Sequence, residues 1–250
     1  MKNKLLIILI LSVFAVFPSC KKAPLTIGKI VTETRALPDF LEVYLNDDIS
    51  LSLVRSDTCY IEITTGENLI DNITTEVNGN ILTIKNTNEL SWIRPYNYEL
   101  HATLYYKDIR NFIFSSSGTL ETKNQYNESN HPYLYRFEID GGSGDLDLLF
   151  NNCTQLDFVY KYGTSHVTLH GDNNVLTNII KKSYGILDAQ NLQSQRVDIQ
   201  SNSPANCYIW ATDTINAKIN HHGNIYYKGD PSTINCEYGE YSEGKLLPLN

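Results

Sequence analysis

The sequence predicts an all-β protein, with its second half wound as a parallel β-solenoid of about 20 residues per coil. Three observations carry this reading. Short runs alternate polar and apolar residues with a period of two, as half-buried strands do. Polar-Gly or aromatic-Gly steps recur at Ser117-Gly118, Ser143-Gly144, Tyr162-Gly163, Tyr184-Gly185, His222-Gly223 and Tyr238-Gly239. From Gly144 onward these marks keep close to one spacing, except that Gly185 to Gly223 is a double interval with Ser203-Pro204 near the skipped mark. One such coil cannot bury its inward face alone. Stacked coils share a core, and glycine supplies tight corners. A β-sandwich is the alternative, since its strands would be similarly spaced without repeating one corner residue.

Taken in chain order, residues 1–19 read as a lipoprotein signal peptide. A basic start at Lys2 and Lys4 precedes an apolar run over 5–16, broken only by Ser12. That run is too short to span a bilayer of about 30 Å as a helix, but suits an export signal. Ser19-Cys20 then resembles a lipoprotein cleavage site. The expectation is a lipid-bearing Cys20, a membrane partner reached through that anchor, and an exported outer-membrane lipoprotein whose periplasmic or surface face stays open. Residues 20–36 form a tether. Residues 37–107 form an N-terminal β region with alternating runs at 40–45, 49–54, 59–64, 81–85 and 98–106, and one short helical turn within 67–73. Residues 108–245 form the solenoid. Strand runs follow the glycine marks at 119–121, 145–148, 165–169, 186–189 and 225–227, and others sit midway at 155–159 and 196–199.

Composition narrows the function. Hydrophobic residues are 42% of the 250, enough for a core, and charged residues only 19%, which argues against a disordered tail or a coiled coil. Net charge is −8, and removing residues 1–19 with their two lysines makes it −10. A nucleic-acid partner is therefore not expected. Cys59, Cys153, Cys207 and Cys236 have no CxxC spacing and no histidine cluster beside them, so they read as buried thiols in strands, with a Cys207–Cys236 disulfide as second choice.

Glu138, Asp140, Asp145 and Asp147 gather around Gly141-Gly142-Ser143-Gly144. A calcium-binding β-roll would need Asp where Leu146 stands. Paired carboxylates of a β-helix hydrolase are another reading, and a solvated acidic stripe is the plainest. The six histidines read as surface or corner residues, and no nucleophile elbow, HExxH or P-loop occurs. No cofactor, metal or catalytic residue is assigned. Tyr162, Tyr184, His222 and Tyr238 each precede a glycine mark. They read as a packing ladder or as an aromatic stripe for sugar rings or peptide, with Tyr160, Trp210, Tyr226 and Tyr227 as further members.

Three stretches resemble one known family: residues 40–49 with 67–70 and 80–84 behind them, residues 142–148, and residues 222–231. The family is that of exported auto-transporter adhesins with a head GIN domain, found in Bacteroidetes-type bacteria. The resemblance implies a β-helical fold and a surface or periplasmic place. The functional expectation is a non-catalytic envelope module, an adhesin or binding or structural unit for glycan or protein. The alternative is a carbohydrate-active β-helix enzyme.

Overall fold

The computed structural model describes residues 26–89, 99–123 and 133–249. Cys20, His131 and the signal segment lie outside them. The described chain is all-β and mostly parallel. Its strands are β1 (Ile30–Ala36), β2 (Glu42–Asp47), β3 (Ser50–Arg55), β4 (Tyr60–Gly66), β5 (Ile73–Asn78) and β6 (Ile81–Asn86). Then come β7 (His101–Tyr106), β8 (Asn111–Ser116), β9 (Leu120–Thr122), β10 (Tyr133–Gly142), β11 (Leu146–Leu149) and β12 (Cys153–Tyr160). The last are β13 (Val167–Lys181), β14 (Leu187–Ser201), β15 (Cys207–Ile219), β16 (Ile225–Lys228), β17 (Thr233–Tyr238) and β18 (Leu246–Pro248).

The strands stack in two rows. In row one, Phe137, Phe158, Ile179, Ile199, Ala217 and Cys236 stand in parallel register, winding after winding. In row two the register runs Leu120, Leu146, Val167, Leu187, Cys207, Ile225 and Leu246. The spacing stays near the coil length read from the glycine marks, and the step from Leu120 to Leu146 is the longest. The long strands β13, β14 and β15 belong to both rows, entering in row two and leaving in row one. This is a solenoid-like arrangement, and each winding buries its inner face only against the next.

The change of texture at 107/108 is not a break in the core. β2 pairs in parallel with β8 on one side and β6 on the other, and β3 with β9 and β7. One buried cluster runs from Phe40 through Ile225. What distinguishes the N-terminal region is its closing strands: β5 antiparallel on β6, β4 antiparallel on β7, and β1 antiparallel on β4. The expected helical turn is a 3-10 turn at Ile70–Asn72, and Leu69, Ile70 and Ile73 beside it are buried against the core. The Arg35 side chain binds the carbonyls of Ile70 (3.0 Å) and Ile73, lacing β1 over that turn.

The aromatic ladder of this chain lies inside. Phe112, Phe137 and Phe158 stack in row one with ring centres 5.2 and 5.5 Å apart and planes within 8° of parallel. Offset stacking of this kind adds to the burial of the rings. Toward the C-terminal end the same column shrinks to Ile179, Ile199, Ala217 and Cys236.

The glycine marks fall into more than one line. A Cβ on Gly144 would meet the Gly118 carbonyl, one on Gly185 the Ser165 carbonyl, one on Gly223 the Ala205 carbonyl, and one on Gly244 the Gly223 carbonyl. Along this line the windings approach too closely for side chains, with Ala205 beside the skipped mark. Gly163 belongs to a different line, over Gly142, and both take positive φ (104° and 97°). Gly239 stands against Asn220. All four described cysteines are free thiols. Cys207 lies in row two and Cys236 in row one, so a bond between them is not formed.

Candidate functional site

A groove of about 680 Å³ runs along the outer face of row one. Alternation in β10, β12, β13, β14, β15 and β17 turns every second residue outward. Register then lines these residues up winding after winding. One line reads Arg136, Asp157, Asn178, Asp198, Asn216 and Asn235, and the next reads Glu138, Val159, Ile180, Gln200, Lys218 and Glu237. Asn178 donates to Asp157 (2.7 Å), Asn216 to Asp198 (2.7 Å) and Asn235 to Asn216 (2.9 Å). Gln155 also donates to Asp157 (2.9 Å).

Most charges along the groove are paired, while Asp157 is met only by the neutral amides of Gln155 and Asn178. Arg196 holds Asp198 with two bonds of 2.8 Å, and Lys218 stands 3.7 Å from Glu237. Burial works to raise the Asp198 carboxyl, but the bonds from Arg196 and Asn216 outweigh it and hold the group below its ordinary value. Glu138, nearly buried at the groove's end, follows the same logic. Burial pushes it up, Lys161 and Arg136 pull it down, and the pull wins.

The acidic residues noted in the sequence separate in space. Glu138 and Asp140 share Lys161 on the outside of row one. Asp145 and Asp147 lie beside row two. There Asp147 sits 3.0 Å from His170 Nε2, and Asp145 accepts the backbone N–H of His166. Among the described residues no group of three His, Cys, Asp or Glu is placed to hold a metal.

The four marked aromatic positions do not line up as one stripe. Tyr184 and His222 share a corner line, two windings apart, through Gly185, Ala205 and Gly223. Tyr162 belongs to the neighbouring line of Gly163. Tyr238 ends an inward column that reads Ile139, Tyr160, Lys181, Ser201, Ile219 and Tyr238. Tyr162 and Tyr184 are 65% and 75% exposed, so they take little part in packing. Tyr160 is wholly buried. Two half-buried tyrosine pairs stack, Tyr60 with Tyr105 (ring centres 4.1 Å apart) and, on the outside of row two, Tyr208 with Tyr226 (5.3 Å). Beside the second pair the Lys228 ammonium lies 3.9 Å from the Trp210 ring centre.

The amide line of the groove went unread in the sequence, although its members recur at the coil period. Each Asn or Asp sits mid-strand, where no glycine marks it.

The profile of the family described as "Putative auto-transporter adhesin, head GIN domain" matches residues 39–231. The chain belongs to this head GIN domain family. Solved structures share the fold of this GIN protein. A "putative adhesin" from Bacteroides fragilis is 19% identical, with 88% of this chain and 97% of that one covered and a TM-score of 0.76. A "putative lipid binding protein" from Parabacteroides distasonis is 19% identical over 89% and 98%, at 0.61. A "putative adhesin" from Parabacteroides merdae is 16% identical over 89% and 97%, at 0.56. No curated protein matches the chain. Among the described residues of the GIN protein no helix is long and apolar enough to cross a membrane.

Proposed function

We propose that this GIN protein is a non-catalytic envelope module, a β-solenoid tethered through a lipid on Cys20, that binds linear, largely uncharged glycans along the row-one groove. The carrying observation is the line Asp157–Asn178–Asp198–Asn216–Asn235. Carboxamides and carboxylates present paired donors and acceptors, which is what neighbouring sugar hydroxyls require. Windings repeat at about 4.8 Å, close to the length of one pyranose unit in an extended chain, so successive windings address successive rings. Val159 and Ile180 supply apolar floor for ring faces. The paired charges and the Asp157 carboxylate, met only by amides, favour a neutral ligand over a strongly anionic one.

A hydrolase would keep one carboxyl protonated as general acid. Asp198 is driven the other way. This supports binding without turnover.

A glycan array on the protein, followed by calorimetry with the best linear glycan, tests the reading. Replacing Asn178 and Asn216 together by Ala is expected to weaken binding at least tenfold, since each lost hydrogen bond is worth about 1 kcal/mol. The double variant also loses its bonds to Asp157, Asp198 and Asn235, so its urea midpoint should fall, and affinity is compared under conditions where both proteins are fully folded. Unchanged affinity in the double variant would remove the groove from the account. The anchor has its own test. Cys20→Ala is expected to shift the protein from the membrane to the soluble fraction, and unaltered partitioning would refute lipidation.

A further inference from the structure

The two ends of the stack are not alike. At the N-terminal end the antiparallel strands β1, β4 and β5 and the turn at Ile70–Asn72 cover the core, and β1 turns polar residues such as Thr32 and Thr34 outward. At the C-terminal end the inward columns simply stop. Ile234 continues the buried line of Val197 and Ile215, yet is 44% exposed. Tyr238 continues Ser201 and Ile219 and is 56% exposed. Cys236 and Leu246 are only half-buried, and Tyr241 is exposed on the same terminal segment. A terminal winding without a polar cover leaves its apolar face and its strand edge unmet. β17 pairs with β15 on one side, and no further strand follows it in register among the described residues. Its one charge, Glu237, is already turned to Lys218.

We infer that this end is a homodimer interface, joined tail to tail about a two-fold axis with β17 antiparallel to its copy. The occupant follows from what the chain offers. The described neighbours of the undescribed segments 90–98 and 124–132 lie in β6, β7, β9 and β10, and Thr26 lies beside Asn68, all toward the other end. Stacking onto the N-terminal end of another copy would meet a cover, not an open core. A second C-terminal end presents the same edge, the same row spacing and the same apolar columns, and an isologous contact covers both at once. At the rim, Glu237 stands 3.7 Å from Lys218 and Glu243 lies 2.9 Å from His222. Strands of about 20 Å set about 10 Å apart give an end face of only about 200 Å² between the rows, so the contact is small and the equilibrium a weak, transient one. β18 is short and ends in Pro248, so β17 carries the strand pairing.

Sedimentation of the detergent-solubilised full chain over a concentration series reads this directly, with Asn178→Ala, which does not touch β17, as a control that should not alter it. The expected result is a monomer–dimer equilibrium, weakened at least tenfold by Ile234→Arg and by Tyr238→Arg. Both residues are surface-accessible, so the two variants should melt close to wild type at concentrations where wild type is monomeric, and below it where wild type is dimeric. Mild oxidation should also yield a disulfide dimer through Cys236, absent in Cys236→Ser and in Ile234→Arg. A monomer at every concentration overturns the inference and leaves the end to a different partner. A dimer indifferent to both Arg variants, or an open-ended ladder of oligomers, overturns it as well.

Discussion

Gly185→Val lowers the unfolding free energy by about 3–5 kcal/mol, whereas Tyr184→Ala beside it costs at most about 0.5 kcal/mol. A Cβ at Gly185 would stand 2.0 Å from the Tyr160 hydroxyl and 2.2 Å from the Ser165 carbonyl. Neither can give way. Tyr160 is wholly buried, and its hydroxyl donates to that same carbonyl at 2.7 Å. Valine must therefore break a buried hydrogen bond as well as force two windings apart. Tyr184 is 75% exposed and loses little contact on truncation. Urea melts of the two variants check both numbers. A wild-type midpoint for Gly185→Val would mean that the windings are not in contact along this line.

Lys181→Met raises stability at pH 7 by about 1–2 kcal/mol. Lys181 is fully buried in the inward column of row one, where its ammonium donates to the Ser183 carbonyl (3.2 Å) and to Ser203 Oγ (2.5 Å). No carboxylate pairs with it, and burial lowers its pKa. Removing the amine orphans nothing, because Ser203 Oγ still donates to the Ser183 carbonyl and accepts from the Ala205 N–H. The sign with pH follows. Above the unfolded lysine value of about 10.4 both states are neutral and the burial carries no proton penalty. As pH falls below that value the unfolded chain takes up a proton that the native chain resists, so native stability declines until the lowered native pKa is reached. The stability difference between Lys181→Met and wild type should thus shrink as pH rises from 7 toward 10. A difference that is flat over this range, or a less stable variant, would show that the buried amine is a net contributor. Paired chemical melts at several pH values provide the measurement.

Much of the architecture was legible because the strand period is local. The runs at 145–148, 196–199 and 225–227 become strands, since alternation there reflects one buried and one wet face. Register was harder. Gly118, Gly144, Gly185 and Gly223 do share one corner line, but Gly163 and Gly239 resemble them in sequence and sit elsewhere, because an aromatic-Gly step marks any sharp corner. The aromatic stacking expected at corners belongs instead to Phe112, Phe137 and Phe158, whose recurrence was visible but carried no glycine beside it. The groove shows the limit most clearly. Asp157 and Asn178 are neighbours only once the length of that winding is known, and a slip of a single position would have turned the line inward.

The closed end and the open end also give the chain a direction. Eight interstrand steps separate β6 from β17, roughly 38 Å at about 4.8 Å each. The described chain begins at Thr26, beside Asn68 near the closed end, so under the proposed lipidation of Cys20 that pole would stand toward the bilayer and the open one away from it. Two copies meeting at their open poles then carry their anchors at opposite extremes. Such a pair cannot easily root both lipids in one leaflet without sharp bending of the tethers, and it spans most naturally between two facing membranes. With the proposed lipid and the inferred dimer together, the fold's asymmetry would favour a bridge between facing membranes over a pair rooted in one.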